Sequence, residues 1–173
     1  MLWDDVLYPK FRDTIRGEYY GIITRDTIDE ECFHLALRAI SAFKFPRIST
    51  EYVTWYAVRD EEDENILTVV DEDDLSSYPN AVQHGEFIND LTHAEIEVII
   101  AWMKFYWAEM QISNADNFEE MYTDSNIKTF SRANAIDKNM KLMDKYREYA
   151  QDLETRYSRV TAARTSSIGD INE

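Results

Sequence analysis

Three histidines, one cysteine and a large surplus of carboxylates are the side chains of this 173-residue chain whose types could support chemistry. His34, His84 and His93 stand too far apart for the H-E-x-x-H pattern, which places two imidazoles on one face of a helix around a metal, and no second cysteine exists to build a zinc site with Cys32. His84, Glu86 and His93 are close enough in sequence to converge around a turn. A turn histidine and one opening a helix are ordinarily solvated or hydrogen-bonded, however, so no ligand set is expected from them. Cys32 and His34, two apart on a helix, point to different faces and do not make a thiolate–imidazole pair. A lone cysteine also forms no internal disulfide, so Cys32 is expected as a small buried hydrophobe that requires no oxidising compartment. No nucleophile elbow, phosphate-binding loop or dinucleotide fingerprint occurs. Carboxylates alone do not make a glycosidase, because that reaction needs two of them held across a sugar. Neither a catalytic nor a cofactor-binding nor a metal site is expected, and the chain reads as a non-enzyme.

The carboxylates are distributed unevenly. The net charge is −16, from 18 basic and 34 acidic residues. Residues 1–59 hold 8 basic and 9 acidic groups, residues 60–124 hold 1 and 18, and residues 125–173 hold 9 and 7. The densest stretch, Asp60, Glu61, Glu62, Asp63 and Glu64 followed by Asp71, Glu72, Asp73 and Asp74, brackets the apolar run Ile66-Leu67-Thr68-Val69-Val70. It reads as a short strand between two acidic loops, a hairpin that must face water, a cation or a basic partner because like charges repel. Asp60, Glu62 and Glu64 alternate as in a calcium loop, but Asn65 stands where that loop's turn glycine belongs, so no metal is expected. The negative balance opposes affinity for nucleic acid or anionic membrane, and no run approaches the roughly 18 apolar residues of a membrane span. The opening residues lack a leader-like pattern, and a cytoplasm-like environment is expected.

Hydrophobic periodicity supplies the elements that must carry these groups. Leu2, Trp3, Val6, Leu7, Phe11 and Ile15 fit a helical stripe, although Pro9 breaks its interior and Gly17 to Gly21 marks a turn. A second helix spans Asp26 to Phe43 on the stripe Ile28, Cys32, Leu35, Ala36, Ala39, Ile40 and Phe43, opened by a Thr27/Glu30 capping box and closed before Pro46. Between Arg47 and Asn89 the chain is rich in β-formers and punctuated by Pro79-Asn80 and Gly85, which predicts a small sheet or hairpin. Thr92-His93-Ala94-Glu95 is a further capping box, opening a helix whose Ile99, Trp102, Phe105, Tyr106 and Trp107 belong to a run interrupted only by Lys104. Both faces of this helix must be covered, by core or, more easily, by a neighbouring subunit. A base-stacking platform would need basic residues beside these rings, and Lys104 is the only one in the middle third.

From about Ser131 to Thr161, apolar residues recur every three or four positions without Pro or Gly, a rod of about 45 Å. Residues 161–173 follow as a weakly apolar tail, expected to be flexible. The predicted class is mainly α with a small β insertion at about 47–89: a helical bundle with a long C-terminal helix and an extended tail.

Phe43-Lys44-Phe45-Pro46-Arg47 after an amphipathic helix, Phe87-Ile88-Asn89-Asp90-Leu91-Thr92 with Glu95-Ile96-Glu97, and Ser131-Arg132-Ala133-Asn134-Ala135 opening a long helix that ends in Arg156-Tyr157-Ser158-Arg159 form a recognisable set. Over roughly residues 26–160 the chain resembles the small head-tail connector, or neck adaptor, proteins of tailed bacteriophages. The resemblance implies a virion structural protein, assembled in the host cytoplasm as a homo-oligomeric ring of about twelve copies between the portal protein and a tail or second neck protein. It implies DNA passing through the channel without specific binding, and an extended tail gripping the neighbouring ring. The long acidic hairpin and weakly apolar tail depart from the family pattern. Arg156, Arg159 and Arg164, with Ile168 and Ile171 in the tail, are the candidates for docking on an acidic neighbour, and the 60–74 carboxylates for facing DNA or a basic patch. The competing expectation is an acidic DNA mimic that inhibits a DNA-binding enzyme, although mimicry would spread carboxylates over a surface at phosphate-like spacing.

Overall fold

The apolar stripes of the helices are buried against one another and, for the first two, against one small sheet. The computed structural model describes residues 1–15, 25–60, 67–121 and 128–169, with 114–121, 128–136 and 161–169 as backbone only. In chain order these form α1 (Trp3–Thr14), α2 (Arg25–Ala42), β1 (Tyr52–Arg59), β2 (Leu67–Val70), a 3₁₀ helix (Glu72–Ser77), β3 (Val82–Phe87), α3 (His93–Met121) and α4 (Lys128–Gly169). The class is therefore mainly α with a small antiparallel sheet.

Helix α1 keeps Pro9 in its interior and buries Trp3, Leu7, Tyr8 and Phe11. Proline there removes one backbone hydrogen bond, and the burial of four large side chains outweighs that loss. In α2 the predicted stripe is the buried face, and the helix stops at Ala42, four residues before Pro46. The helix is already under way at Arg25, so Thr27 lies inside it rather than at its cap. The sheet has the order β2-β1-β3, with Tyr56 opposite Val70 and Gln83, and Trp55 opposite His84. Its β3 edge is capped by the start of the chain: Leu2 bridges Glu86, and the Phe87 N–H donates to the Met1 carbonyl at 3.0 Å. The predicted strand at 66–70 is β2, and the acidic residues after it form a 3₁₀ helix rather than a loop.

Helix α3 packs against α1, α2 and α4. Ile96, Val98, Ile99, Ile100, Trp102, Met103 and Phe105 are buried within the chain, so its own helices cover both faces where a neighbouring subunit was the easier expectation. Helix α4 also differs from expectation, running 42 residues to Gly169, about 63 Å of rod. Residues 161–169 are thus helical rather than an extended tail. Ala162, Ala163 and Arg164 are strong helix formers, and no Gly or Pro interrupts the chain before Gly169. No helix among the described residues is long and apolar enough to cross a membrane.

Gly85, read from sequence as a turn, sits within β3 because the fully buried Trp3 ring lies against its backbone. A Cβ there would meet Trp3 Cε3 at 2.4 Å. Gly85→Ala is expected to lower stability by about 1–3 kcal/mol through overpacking, read as a reduced urea midpoint with unchanged slope.

Candidate functional site

The junction of α2, α3 and α4 is built on an acidic side chain that hydropathy alone would place at the surface. Glu95, the third residue of α3, completes the predicted capping box: its N–H donates to Thr92 Oγ1 at 3.4 Å, while the Thr92 N–H and hydroxyl donate to Oε2 at 2.8 and 2.7 Å. The other oxygen turns away from the helix. Oε1 accepts from the backbone N–H groups of Arg47 and Ile48 at 3.1 and 2.8 Å and from the Tyr157 hydroxyl at 2.7 Å. Glu95 is fully buried, and burial would push its carboxyl up, yet the hydrogen bonds from Tyr157, Ile48 and Thr92 prevail and hold it below the usual carboxylate range. Glu154 on α4 repeats the device, accepting the Lys44 N–H at 2.8 Å. Two carboxylates from two helices thus satisfy three backbone donors of the extended stretch that links α2 to the sheet.

Beside this clamp lies a cavity of about 420 Å³. Ala94, Val98, Leu153 and Val160 give it apolar walls, with Tyr157 between them; Arg47 and Arg156 stand at its edge, together with Glu97 and Thr92. Arg156 is exposed and paired with Asp152 at 2.5 Å. The cavity can accept an apolar group, with the Arg47 and Arg156 donors and the Glu97 carboxylate beside it. No sequence signal marked it, because its lining is gathered from three segments far apart in the chain.

Of the predicted site residues, Ile99, Trp102 and Phe105 are core, while Tyr106 and Trp107 are half-buried against it. The Arg38 guanidinium lies 4.1 Å over the Tyr106 ring and pairs with Glu109, and Arg147 lies 5.2 Å over Phe105. Asp60, Asp71, Glu72, Asp73 and Asp74 are exposed; Glu61, Glu62, Asp63 and Glu64 lie outside the described residues. Arg159 is exposed, Arg164 and Ile168 lie on the part of α4 described as backbone, and Ile171 is outside the described residues.

The three histidines do not meet. His84 is buried in β3, stacked on Trp55 and 3.0 Å from Asp4, whereas Glu86 holds the Met1 amine at 3.2 Å and His93 faces Lys10 and Glu97 at the surface. No cluster suited to a metal occurs among the described residues. Cys32 is fully buried, and burial pushes its thiol up, away from reactivity.

A buried ionic cluster escaped sequence reasoning altogether. Asp29 in α2 is 2.5 Å from Arg59 of β1 and 3.8 Å from Arg12 of α1, and Arg59 also meets Asp26 at 3.0 Å. Asp29 lies only four residues after Arg25, but its stronger partners come from other elements. Comparison with family models, curated proteins and solved structures gives no match.

Two expectations test this description. Tyr157→Phe removes a donor to a charged acceptor and is expected to cost about 1–2 kcal/mol in urea unfolding. Glu95→Gln, which replaces an acceptor-only group by one that also donates, is expected to cost more, about 3 kcal/mol. Glu95 has a lowered folded value, so its contribution is full above the ordinary carboxylate range and is lost as pH falls below it.

Glu31 has the opposite sign. Burial raises its carboxyl to about 7, and its Oε1 is buried without a hydrogen-bond partner. The folded state therefore binds the extra proton between the ordinary carboxylate value and about 7, and stability falls as pH rises through that window. Glu31→Gln should stabilise by about 1–2 kcal/mol at pH 8, after allowance for solvent screening, and should flatten the dependence of the urea midpoint between pH 5 and 8.

Proposed function

We propose that this chain is a virion structural protein, a head-tail connector or neck adaptor of a tailed bacteriophage, acting by protein–protein association around a DNA channel rather than by catalysis. The observation that carries this reading is α4. A compact body of this chain length is about 40 Å across, whereas 42 residues of helix reach about 63 Å. Core packing accounts for one side of this rod, through Ala150, Leu153, Glu154 and Tyr157, while Met140, Tyr149 and Val160 remain exposed along it. A brace of this kind suits a subunit that spans from one assembly layer to the next.

The sequence resemblance supports the same reading through residues that have structural roles here. Phe43-Lys44-Phe45-Pro46-Arg47 is the extended stretch clamped by Glu154 and Glu95, and Glu95 itself belongs to the motif that opens α3. The exposed carboxylates Asp71, Glu72, Asp73 and Asp74 offer a surface for a basic patch on a neighbouring member of such an assembly.

Quantitative mass spectrometry of purified virions from the source should find the chain at about one copy per portal subunit. Its absence from intact particles would remove the connector reading and bring forward the acidic DNA mimic.

A further inference from the structure

We infer that the cavity between α3 and α4 is the socket for a second copy of this chain, and that the group it receives is the corner where β2 meets the acidic 3₁₀ helix. The inference deepens the adaptor reading, on which its biological meaning rests, by naming the two surfaces through which subunits would join.

The socket offers about 420 Å³ of mostly apolar space, walled by Ala94, Val98, Leu153 and Val160, with Arg47 and Arg156 at the edge. This volume lies in the range of sites that enclose a segment of ligand. Glu97 stands on the same edge, and Asp152 already contacts Arg156 at 2.5 Å. A guanidinium has five N–H donors, however, so that contact leaves several of Arg156's free to meet another carboxylate.

The β2 corner has the complementary chemistry. Val69 is 66% exposed, the most exposed large hydrophobic residue of the described sheet. Immediately after β2 come Asp71, Glu72, Asp73 and Asp74, all exposed and without a cation partner among the described residues. A positive charge brought from outside would relieve their mutual repulsion further than solvent does. The corner is also held in shape before any encounter: β2 is registered on β1, and the Asp74 N–H donates to the Asp71 carbonyl at 3.0 Å. A preformed projection loses little entropy on docking.

A second copy is the fitting occupant because each chain carries both halves. Only one basic residue lies between 60 and 124, so any cation that meets the corner comes from elsewhere, and the socket joins two arginines to an apolar recess of a size for Val69 to enter. The strand β2 packs on β1, whereas the socket is formed by α3, α4 and the stretch before β1, so the two surfaces are distinct patches. A contact between distinct patches is head-to-tail, which closes into a ring or grows as a filament.

Sedimentation equilibrium on the purified full-length chain tests this. The unmodified chain is expected to self-associate, more weakly at high salt, and Arg47→Gln with Arg156→Gln to weaken association about tenfold, the effect of two rim charge pairs together. Reversal of the socket (Arg47→Glu, Arg156→Glu) or of the corner (Glu72→Lys, Asp73→Lys, Asp74→Lys) should abolish association, and a chain carrying both reversals should recover it. All five side chains are exposed, so circular dichroism should report an unchanged fold; if the reversals misfold, the glutamine pair still decides the matter. A monomeric chain at about 100 μM, association untouched by the glutamine pair, or no recovery in a folded doubly reversed chain would each overturn the inference. Virion content tests the adaptor reading independently, so the failure of either is distinguishable from the failure of the other.

Discussion

A buried carboxylate held by neutral donors organises this protein. Glu95 accepts five hydrogen bonds: two from Thr92, one each from the backbones of Arg47 and Ile48, and one from the Tyr157 hydroxyl. Burying a charge costs several kcal/mol unless its lone pairs are satisfied, and five donors meet that demand. The donors come from three places in the chain, so satisfying one side chain ties the entry to the sheet, the start of α3 and α4 together. With Glu154 holding the Lys44 N–H, a stretch with few backbone partners of its own becomes a rigid joint. The cavity beside it exists because α4 is held there by polar contacts at Tyr157 and Glu154 while Ala94 and Val98 leave space between the helices.

Charge in this molecule has two separate functions. Inside, Asp29 gathers Arg59, Arg12 and Arg25, joining α1, α2 and β1 through a cluster whose members would be costly to leave unpaired. Outside, Asp71 to Asp74 have no cation partner among the described residues and concentrate negative charge on one face. The proposed association reconciles the two: a chain with so few basic residues in its middle third places two arginines at the mouth of an apolar recess. The structural core and the association surfaces meet at Arg47, whose backbone serves the Glu95 clamp while its side chain edges the socket.

The contrast between what was legible and what was not follows the range of the interactions. The capping box at Thr92 and Glu95 was readable because all its partners lie within four residues. The α2 stripe and the small sheet were readable for the same reason, since periodicity and β propensity are local. Gly85 was misread as a turn because its reason, the Trp3 ring, is more than eighty residues away. The extent of α4 was underestimated because low apolar content in residues 161–169 suggested an end to the helix at Thr161, whereas the helix runs on to Gly169, the first glycine after Lys128.

The sequence by itself determined the mainly α class, a small sheet between Arg47 and Asn89, the start of α3 at its capping box and the concentration of negative charge in the middle third, all consequences of contacts between near neighbours. It also determined that Ile99, Trp102 and Phe105 must be covered, without saying by what. Only the tertiary structure decided that the chain covers them itself, that Glu95 reaches Arg47, Ile48 and Tyr157, and that Arg47 and Arg156 share one recess. These pairings span between about fifty and a hundred and ten positions, and no local pattern encodes them, because a hydrogen bond or a cavity depends on where the packed helices bring their side chains rather than on how far apart those side chains lie in the chain.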